Sequence, residues 1–231
     1  MEKNLSSVLG NRIFTLRDVL KEERQAIFQK LIEKDLKEHL RIYAELYERS
    51  KQTVEALARE GFEIPYEIRV AAEVTLGDQL LKAVEELRSD LKGALRKGDI
   101  DQIIKDAKRF GYHLRKEEAT LVLKDMLKDG MERLHGSIEG SELSSQEEQI
   151  EALILLLDQA EKWGLDIPKE EVQDSMGEML KEYLFSLEES WWGEGKEKPF
   201  SLKIISLAEK LDFNVERFSK VVGIRVSGDP S

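Results

Sequence analysis

Chemistry needs particular side chains at particular spacings, and few stretches of this chain supply them. Its three histidines, His39, His113 and His135, lie far apart. A helical zinc site needs two imidazoles one turn apart on one face. No HExxH-type pattern occurs, so each reads as a solvent or helix-end histidine. Carboxylates are abundant, and abundance alone does not define a catalytic acid pair. The doublets Glu22 and Glu23, Glu117 and Glu118, Glu147 and Glu148, and Glu170 and Glu171 mostly fall where a helix begins. There an acid favours the positive end of the helix dipole, so these read as structural. Without cysteine, thiolate metal sites, cysteine nucleophiles and disulfides are excluded. There is no GxSxG elbow, glycine-rich phosphate loop or dinucleotide fingerprint. The expected catalytic, cofactor-binding and metal sets are therefore empty. One pair remains: Trp191 and Trp192, adjacent in the polar stretch WWGEGKEKP (191–199). Two indoles on a loop can stack on a sugar ring, or can anchor the loop and pack against a neighbouring domain.

The elements that would position such residues are helical. Of the 231 residues, 41% are hydrophobic and 36% charged, and the two classes are interspersed, as in amphipathic helices. A net charge of −11 with no dense basic stripe repels a phosphate backbone, so nucleic acid is not an expected partner. The longest uninterrupted apolar run, 152–157, is far short of the roughly 20 residues that cross a bilayer, so no membrane is expected. The N-terminus lacks the pattern of a secretory signal. With the missing cysteines this suits a reducing, cytoplasmic setting.

Between Asn11 and Glu60 there is neither glycine nor proline, and Leu20, Ile27, Leu31, Leu36, Leu40, Tyr43, Tyr47, Val54 and Leu57 recur at the period of one buried helical face. The pattern predicts one long helix over about 16–60, or two with a bend near Ser50. Further helices are expected at 66–87, 100–110, 116–134, 146–163, 169–189, 201–211 and 215–222. Stretch 135–145 reads as an exposed loop.

A short pattern punctuates these helices: a charged helix end, then Gly or Asp, then a bulky apolar residue, at Gly61 and Phe62, Gly111 and Tyr112, Gly164 and Leu165, and Asp212 and Phe213. A left-handed residue after the last turn ends a helix, and the apolar residue that follows folds back on it. Pro65 and Pro168 then stand near the first turn of the next helix. Trp163, in a last turn, is expected in the core. The intervals between the four positions are 50, 53 and 48 residues, close to the period of stacked helical hairpins. The dissimilar intervening stretches favour an irregular array over a solenoid.

Residues 11–76, from NRIFTLRDVLKEERQAI through IYAELYE to GFEIPYEIRVAAE (61–73), carry more than generic helix. This stretch resembles the start of the C-terminal helical region of uncharacterised bacterial proteins related to glycoside hydrolase family 57. The resemblance implies a domain of a longer polypeptide whose upstream distorted (β/α) barrel acts on α-glucans. The barrel's catalytic residues match no position here, so this chain is expected to be non-catalytic. The implied partners are that barrel and, through Trp191 and Trp192, an α-glucan.

The expected organisation is an all-α, irregular multi-helix array of antiparallel helices. It comprises an extended lead-in over 1–14, one helical domain over 15–224 with a sub-boundary near 136–145, and a tail over 225–231. The function expected is that of an accessory domain packing on the barrel, with a stand-alone protein-binding scaffold as the alternative.

Overall fold

The computed structural model describes residues 21–137, 143–189 and 198–215. The lead-in over 1–14, part of the 135–145 loop, Trp191 and Trp192, all but the first residue of the helix expected at 215–222, and the tail lie outside these residues. Among the described residues there are eight helices and no strand: α1 (Lys21–Arg59), α2 (Tyr66–Leu87), α3 (Leu91–Lys97), α4 (Asp99–Phe110), α5 (Glu117–Ser137), α6 (Leu143–Trp163), α7 (Glu170–Glu189) and α8 (Lys198–Lys210). The all-α expectation and the long first helix hold. Helix α1 runs unbroken through Ser50, whose hydroxyl donates to the Leu46 carbonyl at 2.7 Å.

All four punctuating residues adopt the left-handed conformation, with φ of 72° at Gly61, 69° at Gly111, 66° at Gly164 and 64° at Asp212. Three of these stops close by the same pair of hydrogen bonds. The Phe62 N–H donates to the Leu57 carbonyl at 2.9 Å, Leu165 to Ala160 at 2.9 Å, and Phe213 to Ala208 at 3.0 Å. In each, the left-handed residue itself donates to the carbonyl three before it. Asp212 bears the strain a glycine would avoid, and its carboxylate accepts from Lys169 at 2.9 Å.

By internal contacts the chain divides into two units: Met1–Asp78 with Phe110–Leu114, and Gln79–Arg109 with Arg115–Ser231. In the first, α1 packs antiparallel against α2. Ile27, Tyr47 and Val54 of α1 are buried, as are Ala71, Ala72 and Leu76 of α2, together with Ile64 and Tyr112. In the second, α6 packs against both α5 and α8, and α5 also packs against α7. Leu123, Leu127, Met131 and Leu134 form the buried face of α5, and Ile150, Leu153, Leu157 and Ala160 form that of α6. Their spacings of three, four and seven are those of one helical face.

Four features depart from expectation. Leu36 of α1, expected on its buried face, is exposed. Helix α3 falls where no helix was expected; Asp90 caps it by accepting from the Gly93 N–H at 2.8 Å, and left-handed Gly98 ends it. Its seven residues are too few to register as periodicity. Helix α6 begins at Leu143, so Glu147 and Glu148 stand in its second turn rather than its first. Glu147 instead accepts from Lys203 of α8 at 2.6 Å. Phe62 does not fold back into the core but is exposed, and Ile64 is buried in its place.

Candidate functional site

Within each unit, helix stops are tied to residues of other helices or of helix starts. In the first unit, Glu73 of α2 accepts from the backbone N–H of His113, just past Gly111, at 2.9 Å. In the second, Lys116 donates to the Gly164 carbonyl at 2.9 Å and reaches the Trp163 carbonyl at 3.5 Å. A cation thus sits on the unpaired carbonyls at the end of α6, where the helix dipole favours it. Lys169 in turn pairs with Asp212 at the end of α8, and Gln173 donates to the Leu211 carbonyl at 2.9 Å. Lys116 and Lys169 occupy the same place in GYHLRKEEA and GLDIPKEEV, so each lysine serves the next stop along the chain. Sequence reasoning missed them, although their common spacing from the glycine was there to read.

The first stop carries the same pattern in GFEIPYEIR but with different residues, and it behaves differently. Tyr112 and Leu165, which follow the second and third glycines, are buried, whereas Phe62 is 65% exposed. Tyr66, in the place of the two lysines, is 75% exposed. These are the two most exposed large apolar side chains among the described residues. They flank Pro65 on a backbone held by the Gly61 stop and by the Arg69 N–H donating to the Pro65 carbonyl at 3.0 Å. Two aromatics on a fixed turn are the type of surface that anchors a protein interface at low entropic cost.

A groove of about 760 Å³ opens in the second unit over Leu157, Ala160, Leu165 and Ile167. Both lysines at its rim are already engaged, Lys169 with Asp212 and Lys210 with Asp158. Among the described residues no three His, Asp or Glu side chains converge as metal ligands. His39 and His113 are exposed, and His135 lies in the last turn of α5.

Titration behaviour points the same way. The hydrogen bond from Lys162 holds the Asp101 carboxyl below the usual carboxylate range, against partial burial and with help from the Trp163 indole N–H. That N–H donates to Asp101 at 3.0 Å and fixes the buried Trp163, as its expected core position requires. Hydrogen bonds to Glu147 and Glu151 raise Lys203, and the one to Glu171 raises Lys124. Every such shift among the described residues favours the charged form, as in structural ion pairs.

Compared with known protein families, curated proteins and solved structures, the chain matches none. The resemblance of residues 11–76 therefore rests on its own residues.

Proposed function

We propose that this chain is a non-catalytic helical docking domain, the accessory part of a cytoplasmic protein related to glycoside hydrolase family 57. Its first helix stop packs on the upstream barrel. The supporting observation is the contrast among the stops: the apolar residue after the glycine is buried at Gly111 and Gly164 but bare at Gly61. A surface that is filled at the later stops stands open at the first, within the stretch that carries the resemblance. The barrel fills that place. The α-glucan is the substrate of the barrel, and Trp191 and Trp192 are its contact from this domain.

The test begins with the reading frame upstream of the Met1 codon. A frame encoding a barrel supports the proposal, and an immediate stop codon sinks it. With the barrel expressed as a separate polypeptide, the double substitution Phe62→Ser and Tyr66→Ser should weaken its calorimetric affinity for this chain at least tenfold, with circular dichroism unchanged.

A further inference from the structure

We propose that two copies of this chain pair antiparallel through α1, about a twofold axis level with Lys37. The surface involved is separate from the Phe62 and Tyr66 turn. Along α1, Phe28, Ile32, Leu36, Ile42 and Leu46 are between 38% and 56% exposed. Phe28, Asp35 and Ile42 form one row at seven-residue steps, and Ile32, His39 and Leu46 form a second, offset by four. Two interleaved rows at this spacing are the seam of a coiled coil. Each row is apolar at its ends and polar at its centre.

The polar centres decide the direction. Parallel pairing in register sets Asp35 against Asp35 and His39 against His39. Antiparallel pairing about the level of Lys37 sets Phe28 opposite Leu46 of the second copy, Ile32 opposite Ile42, and Asp35 opposite His39. The twofold axis repeats each pair. Carboxylate then meets imidazole twice at the centre, with apolar layers on both sides, an arrangement that fixes register as buried polar groups do in other coiled coils. On one flank Leu36 meets its own copy. On the other Glu38 does, and there each carboxylate is already bound by Arg41 of its own helix at 2.8 Å.

Charge and area are compatible with self-pairing. The chain as a whole carries −11, but α1 has nine basic and eight acidic residues, so two copies of it do not repel. Five half-bare side chains per copy remove on the order of 1,000 Å² from water across the pair, about the threshold of a specific interface.

The full chain at 5 to about 100 μM should sediment at twice its 26.6 kDa mass. Ile32→Glu with Ile42→Glu should return it to the monomer mass with helicity unchanged. His39→Asp alone should weaken the dimer at least tenfold, and Asp35→His added to it should restore the dimer. Because the chain has no cysteine, introduced ones report direction cleanly. Phe28→Cys alone should not cross-link under mild oxidation, since antiparallel copies of this position lie about 27 Å apart. Phe28→Cys with Leu46→Cys should cross-link between copies. A monomer throughout the concentration range, a dimer indifferent to the Ile32 and Ile42 substitutions, or cross-linking of Phe28→Cys alone overturns the proposal. None of these outcomes bears on barrel binding by Phe62 and Tyr66.

Discussion

Asp101 shows how a single polar residue can hold a core tryptophan without doing chemistry. It accepts from the Trp163 indole and from Lys162, with its side chain 44% exposed. Its folded pKa lies below the unfolded value. The stabilisation it gives is therefore present above the ordinary carboxylate pKa of about 4 and is lost as pH falls through the folded value. Asp101→Asn keeps an acceptor for the indole and removes the charge. Solvent screening limits the loss to about 1 kcal/mol at pH 7. Urea denaturation should find that difference shrinking as pH falls from the ordinary carboxylate range through the folded pKa, below which the wild-type carboxyl is also neutral.

At the scale of elements, the helix stops are local devices and the ties made to them are not. Gly164 takes φ of 66° whatever surrounds it, because the hydrogen bonds that require it run to carbonyls in the same helix. Lys116 comes from the start of α5, 48 residues away in sequence, to cover the carbonyls at that stop. Lys116→Met keeps the length and apolar stem but removes the donor. It should cost about 1 kcal/mol, with faster hydrogen exchange confined to the end of α6 around Leu165. Exchange that stayed unchanged there would show the lysine to be incidental.

At the scale of the molecule, each unit has its own buried side chains and should therefore open as its own cooperative unit. Val54 lies in the core of the first unit and Leu123 in that of the second. Truncating either to alanine should cost about 2–4 kcal/mol, the usual loss for a fully buried aliphatic. Exchange followed by mass spectrometry should show Val54→Ala lowering protection in α1 and Leu123→Ala lowering it in α5 and α6. Equal loss across both regions from either substitution would mean that they open together.

The sequence by itself determined the helices and where they stop. Helix α2 runs over Tyr66–Leu87 as expected, all four stops are left-handed, and Trp163 is core. Those properties follow from one helical face and from hydrogen bonds closed within a few residues, so the information lies in the local chain. Short α3 escaped because only its cap and its terminal glycine marked it. Tertiary structure alone decided burial. Phe62 and Tyr112 each follow a left-handed glycine, yet one is open to water and the other closed off. The difference comes from what lies over each ring, and the residues that cover a ring are brought there by packing between helices rather than by the local chain.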